Sequence, residues 1–309
     1  MLETNRCLVL LASYNGEPWI EEQVKSICQQ SHKNIQIYMV DDASGDNTVQ
    51  LAKSALAEHL PESSIAVRRL SSGSSGANFL NIIREVDPEN WDYFFLCDQD
   101  DIWHPKKVER AIQELASSGA DGYSCAVEAF WPDGRRRKMA QSRHLTELDY
   151  LFEGAGQGCT FAMSKHLFLE VQRFVVENES LVKNFAYHDW LIYLVARSLR
   201  FRWSFDGSVY LSYRQHQTNV IGAKTSFSGI GARLELIRSG WYASEIEKAI
   251  NMADRLGVES PVFKKFRAVF FRRRSFWRQL ELAGIVLINS RRKFVERLIL
   301  FAAVLMNII

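Results

Sequence analysis

Four short apolar runs, at residues 7–12, 35–40, 65–70 and 93–97, punctuate the first third of the chain, each rich in β-branched, aromatic or other apolar side chains. Runs of that length and character read as strands buried on both faces. Between them the spacing predicts helices. Residues 17–29 set Ile20, Val24 and Ile27 on one face, and residues 48–60 do the same with Val49, Ala52, Leu56 and Leu60. Buried strands separated by helices fold as a parallel sheet covered on both sides, with right-handed crossovers. The chain is therefore expected to be α/β, of doubly wound character. Ligands of such sheets bind outside the carboxyl ends of the strands, so the residues just after each run are the candidates for chemistry.

Those segments are polar every time. Ser13-Tyr14-Asn15-Gly16-Glu17 comes after the first run, Asp41-Asp42-Ala43-Ser44-Gly45-Asp46 after the second, and Ser71-Ser72-Gly73-Ser74-Ser75-Gly76-Ala77-Asn78 after the third. The fourth run, ending Phe94-Phe95-Leu96-Cys97, stops in Asp98-Gln99-Asp100-Asp101, three carboxylates in four residues. Like charges that close raise one another's pKa unless a cation neutralises them, and hard cations such as Mg²⁺ and Mn²⁺ prefer oxygen ligands. The structural alternative is an acidic turn in which Asp101 or a neighbour caps a helix opening near Pro105. The Ser/Gly loop after the third run either admits a ligand close to the backbone or serves as a turn and helix start.

Composition narrows the classes. At 309 residues the chain exceeds the usual domain size, so one large domain with an appendage is expected. With 38 basic and 36 acidic residues the net charge is +2, which gives no ground for nucleic-acid binding. The five cysteines, 7, 28, 97, 125 and 159, lack any Cys-x-x-Cys spacing and are expected to be reduced core thiols of a cytosolic protein. The N-terminus does not resemble a signal peptide. The first loop lacks both Gly-x-Gly-x-x-Gly and Gly-x-x-x-x-Gly-Lys, which argues against a dehydrogenase and a P-loop NTPase. Gly154-Ala155-Gly156-Gln157-Gly158 looks like a glycine fingerprint, but it precedes the apolar run 159–163 and is expected to be a tight loop of the substrate region.

Taken in order, Ser13-Tyr14-Asn15, Val40-Asp41-Asp42-Ala43-Ser44-Gly45-Asp46 and Asp98-Gln99-Asp100-Asp101 resemble family 2 of the inverting glycosyltransferases, which have the GT-A fold. Residues 95–103 together with Tyr213-Arg214-Gln215-His216-Gln217-Thr218-Asn219-Val220-Ile221-Gly222 resemble its bacterial rhamnosyltransferase-like branch. The resemblance spans residues 5–225 and implies roles for individual residues. Asp42 would accept a hydrogen bond from a pyrimidine base, with Ser13, Tyr14, Asn15, Glu17, Asn78 and Gln99 bordering the nucleotide and Asp98 near the ribose. Asp100 and His216 would hold a divalent metal, Mg²⁺ or Mn²⁺, on the diphosphate. Asp189 would be the base that deprotonates the acceptor hydroxyl, the alternative being that it caps the helix beginning there. The family often has Glu-Asp where this chain has His188-Asp189. His188, Gly158, Trp103 and Trp190 would border the acceptor, although the two tryptophans are equally placed to be core edges.

The implied partners are a nucleoside-diphosphate sugar, dTDP-rhamnose or a UDP-sugar, and a saccharide or lipid-linked acceptor of bacterial surface-polysaccharide synthesis. Residues 1–228 would form the catalytic domain, with a nucleotide half over 1–103 and an acceptor half over 104–228. From residue 229 helical segments dominate, and Lys264, Lys265, Arg267, Arg272, Arg273, Arg274 and Arg278 interleave with Phe263, Phe266, Phe270, Phe271, Phe276 and Trp277. Arg291-Arg292-Lys293 and Arg297 come next. Basic helices with aromatic residues seek anionic lipid, and the last apolar run, 298–309, is shorter than the roughly 20 residues that span a bilayer. Peripheral attachment to the cytoplasmic face is therefore expected, against a helical appendage packed on the catalytic domain or joining a homo-oligomer. Two further classes stay in view. A sugar nucleotidyltransferase would show a basic, Gly-rich loop after the first strand, and a non-catalytic assembly subunit would lack the acidic candidates.

Overall fold

A computed structural model describes residues 4–142, 144–216, 239–292 and 294–306. The four apolar runs are strands β1 (Cys7–Ser13), β2 (Ile35–Asp41), β3 (Ser64–Val67) and β4 (Tyr93–Cys97). They pair in parallel in the order β3-β2-β1-β4. Successive side chains point to opposite faces, so β1 sends Leu8, Leu10 and Ala12 to one core and Cys7, Val9 and Leu11 to another. The second core is closed by α1 (Ile20–Cys28), α2 (Thr48–His59) and α4 (Lys107–Ser118); the first by α3 (Ser75–Glu85), α5 (Lys165–Glu177), the one-turn α6 (Glu179–Val182) and α7 (His188–Ser198). A sheet buried on both faces is what continuous apolar strands require.

Beyond β4 the expected parallel arrangement gives way to a mixed sheet. The order continues β8 (Ala162–Ser164), β6 (Gly122–Phe130), β9 (Trp203–Arg214), β5 (Ile102–Trp103), with β8 antiparallel to β4 and β6, β9 parallel to β6, and β7 (Arg136–Met139) hairpinned onto β6. β3 is shorter than the run 65–70: the Arg68 N–H still reaches the Asp41 carbonyl at 2.9 Å, but Leu70 is exposed. The glycine-rich segment 154–158 is a loop ending in a short 3-10 helix, Gly158–Thr160, ahead of β8. All five cysteines are free, and four are buried.

The helical tail carries α8 (Trp241–Arg255), α9 (Pro261–Phe271), α10 (Phe276–Asn289) and α11 (Phe294–Leu305). The expected domain boundary at 228 and motif residues 217–222 lie outside the described residues. Tail side chains Tyr242, Ile246, Phe263, Phe266, Leu282 and Leu300 join the first core. Several of the arginines that looked like a lipid-facing set are structural. Arg291 donates to the Ser142 and Gly154 carbonyls, each at 2.6 Å, and lies against Asp149 at 3.3 Å with both side chains fully buried. Arg292 reaches the Phe152 carbonyl, and Arg297 turns back to Leu287. No helix of the described residues is long and apolar enough to cross a membrane.

Candidate active site

The turn after β4 is fixed from the far end of the sheet. The Arg214 N–H donates to Asp101 Oδ1 at 3.1 Å, its Nε donates to the Asp100 carbonyl at 2.8 Å, and its Nη2 meets Glu22 on α1 at 2.5 Å. Asp101 is buried and does not cap the next helix, whose N-cap position is Lys106. Asp100 Oδ2 lies 2.6 Å from His216 Nε2, and the His216 ring stacks on Trp19 with centroids 4.1 Å apart. Ends of β4 and β9 and the loop after β1 thus meet at one point.

The electrostatics divide the acidic turn. Burial pushes the Asp98 carboxyl up, and the charges of Asp100 and Asp189 push it further. Asp101 is raised well above the carboxylate range by burial, then by Asp100 and Asp98. Cys159 lies beside them, with the donor atoms of Asp98, Asp101 and Cys159 all within 4.8 Å of one another. Burial raises its thiol well above its usual value, so it stays protonated beside the two carboxyl groups. A protonated thiol is no ligand for a hard cation. The carboxylate of Asp100 and the imidazole of His216, both with some accessible surface, are the pair that would hold a divalent cation.

Asp189 is the second residue of α7, not its cap: Tyr187 holds the N-cap position and makes no side-chain cap. Its Oδ1 accepts the Trp190 N–H at 2.7 Å, and the Gly158 amide also donates to the carboxylate. Burial nevertheless raises its pKa to about 6, which suits a base working near neutrality. Gly158 leaves room for the start of α7. A Cβ on it would lie 2.7 Å from His188 Nε2 and 3.3 Å from Asp189 Cβ.

On the nucleotide side, most of the expected residues build the walls. Ser13 Oγ donates to Asp41 at 2.9 Å, Gln99 bridges the backbone N–H and carbonyl of Tyr14, and Glu17 receives the Asn47 amide groups. Asn15, in the left-handed region at φ 47°, accepts the Gly45 N–H at 2.9 Å. Asn78 is buried and bonded to the Val40 carbonyl and Arg68. Asp42 accepts from Ser71 Oγ, Ser72 N and Ser72 Oγ at 2.7–2.9 Å, which folds the Ser/Gly loop over the end of β2. Tyr14 is half-exposed.

The family model described as "Glycosyl transferase family 2" matches residues 8–171, more than half of the chain. The chain belongs to glycosyl transferase family 2. It is 35% identical over 299 residues to a dTDP-rhamnosyl transferase, RfbG, of Shigella flexneri, covering 96% of this chain and 100% of the relative. It is 25% identical over 289 residues to an uncharacterized glycosyltransferase of Rickettsia typhi, covering 89% and 82%. Among solved structures, S. aureus TarS residues 1–349 in complex with UDP-GlcNAc superposes with a TM-score of 0.55 at 14% identity, over 91% of this chain and 80% of that one. That likeness shows the GT-A fold, and the family makes the protein a glycosyltransferase rather than a nucleotidyltransferase.

In the glycosyltransferase, Asp98, Asp100, Asp189 and His216 come together, while the two tryptophans do not. Trp103 is 2% exposed, with Lys107 Nζ 3.6 Å from its ring centroid. Trp190 is buried between Phe185 and Tyr242 and donates to the Tyr150 carbonyl at 2.8 Å. Both are core residues: Trp103 packs into the second core and Trp190 into the first. His188 stacks on Phe79 at 4.2 Å, and its Nε2 has no hydrogen-bond partner; burial lowers its pKa to about 3, so the ring is neutral packing behind Asp189. Sequence reasoning missed Trp19, Cys159 and the latch role of Arg214. Only Arg214 carried a signal, through its place two residues before His216 in the second motif.

Proposed function

We propose that this enzyme transfers rhamnose, with inversion, from dTDP-rhamnose to a hydroxyl of a saccharide or lipid-linked saccharide during bacterial surface-polysaccharide assembly. The observation that carries the catalytic part is the convergence of Asp189, with a pKa near 6, on the Asp98–Asp100–His216 side of one crevice. Near-complete alignment with a dTDP-rhamnosyl transferase supports the donor. The acceptor oxygen attacks the anomeric carbon as the bond to the diphosphate oxygen breaks, and the hydroxyl proton passes to Asp189. Asp100 and His216 would hold a divalent cation, whose charge would offset that growing on the departing diphosphate. Asp42 and Tyr14 border the base, and Asp98 the ribose.

Basic and aromatic residues left exposed on the tail support work at the cytoplasmic membrane surface, where a lipid-linked acceptor would be found. A panel of nucleotide sugars tests the donor by saturation-transfer binding and by metal-dependent hydrolysis. Preferred binding of dTDP-rhamnose is expected; equal or better binding of UDP- or GDP-sugars would overturn it.

A further inference from the structure

The turn between α9 and α10 leaves Phe271, Phe276 and Trp277 at 49%, 69% and 75% exposure, with Arg272, Arg273 and Arg274 between them. A turn that only reversed the chain would carry small polar residues there. This one is built to stand still. Ser275 caps α10 by accepting the Arg278 N–H at 3.2 Å, and buried Arg278 donates to the Val269 and Phe270 carbonyls at 3.1 and 2.6 Å, closing the end of α9. Phe276 and Trp277 sit edge to face, centroids 5.6 Å apart. Arg272 pairs with Glu281, but among the described residues no carboxylate pairs with Arg273 or Arg274. Since Arg278, Arg291 and Arg292 serve the interior, the cationic aromatic surface of the tail is concentrated at this turn.

We propose that residues 271–277 are the membrane-contacting element: Phe271, Phe276 and Trp277 enter the interface of an anionic phospholipid bilayer while Arg273 and Arg274 bind lipid phosphates. Aromatic rings with a polar or charged border favour the headgroup level, and arginines there gain from anionic lipid. A second copy of the chain is a poorer occupant, because a two-fold contact would set the arginines against themselves. The assignment rests on the proposed membrane attachment and specifies its location. It also implies a fixed posture, since Tyr242 on α8 bonds the Phe152 carbonyl and stacks on Trp190 of α7, the helix that carries Asp189.

Full-length protein is floated with phosphatidylcholine vesicles and with vesicles also containing about 30% phosphatidylglycerol. The variants are Phe276→Ser/Trp277→Ser, Arg273→Glu/Arg274→Glu, and Lys53→Glu on α2 as a charge control. The wild type and Lys53→Glu should bind the anionic vesicles at least about 10-fold better than the neutral ones, with loss at high salt. Each turn variant should lose at least about 10-fold of that binding while keeping its melting temperature and dTDP affinity. Folded turn variants that float like the wild type overturn the assignment and leave membrane attachment itself standing. A wild type that floats with neither vesicle overturns both. A wild-type dimer in sedimentation that Phe276→Ser/Trp277→Ser disperses gives the turn to a second copy and overturns the lipid.

Discussion

His216 Nε2 stands 2.6 Å from Asp100 Oδ2, a contact across 116 residues of sequence. It exists because β5 and β9 pair antiparallel, Ile102 with Ser212, which brings the segment after β9 alongside the turn after β4. Trp19 holds the imidazole flat from the other side. The proposed cation site therefore depends on sheet pairing as much as on the two ligands. Asp100→Asn and His216→Ala are each expected to weaken Mn²⁺-dependent dTDP binding by about 10–100-fold, and chelation should bring the wild type to the same level. Titration calorimetry with and without Mn²⁺ measures both, and a wild type indifferent to chelator removes the metal from the mechanism.

Asp189 makes a prediction in pH. Its pKa of about 6 means that kcat/KM should climb as pH rises through 6 and then level, because only the carboxylate accepts the hydroxyl proton. Asp189→Asn should lose about 100- to 10,000-fold in kcat and keep donor affinity. Stability runs the other way. The folded pKa lies above the ordinary aspartate value of 3.8, so neutral Asp189 costs the fold nothing below that pH, and the cost grows until it is complete above about 6. At pH 8 the Asn variant should be the more stable, by on the order of 2–3 kcal/mol, and the gap should close below pH 4. Urea melts at the two pH values read it directly.

Gly158→Ala tests how tightly the base is packed. The new methyl meets His188 Nε2 at 2.7 Å and Asp189 Cβ at 3.3 Å, so the start of α7 must move. A loss of about 1–3 kcal/mol in stability and at least 10-fold in kcat is expected. Gly45→Ala, where a Cβ meets nothing within 4 Å, is the control and should be near neutral in stability. Equal behaviour of the two would mean that the base tolerates displacement.

Arg291→Ala tests whether the tail is part of the catalytic body. Asp149 receives the Tyr193 hydroxyl at 2.6 Å and lies near Arg197 as well as Arg291, all of them largely out of water. Removing one cation leaves that carboxylate under-compensated, at a cost of about 3–5 kcal/mol. A single cooperative melt at lower temperature is expected. An unchanged midpoint would show the tail to be energetically separate.

The strand ends were legible because their signals are local. A continuous apolar run must be buried, and the polar residues that terminate it must lie at the sheet's rim, which located Asp42, Asp98 and Asp100 from composition alone. Asn78 and Ser13 were placed at the right end of the sheet, yet their polar atoms turn inward to Val40 and Asp41. Trp103 and Trp190 read equally well as sugar platforms or as core, since exposure depends on what packs against a ring and that is absent from the sequence. The tail arginines illustrate the same gap. Arg273 and Arg291 look alike in a string of letters, but one faces solvent and the other lies against Asp149.

By itself the sequence determined the alternating core, the acidic crevice at the ends of β1, β2 and β4, and the family to which the chain belongs. These come from periodicity and from motifs a few residues long. Only the tertiary structure decided which carboxylates share the crevice with Asp189, which thiol shields Asp101, and which basic residues remain outside. Each of those depends on partners distant in the chain, and burial then sets the charge state: it keeps Cys159 protonated, holds His188 neutral and raises Asp189 to about 6.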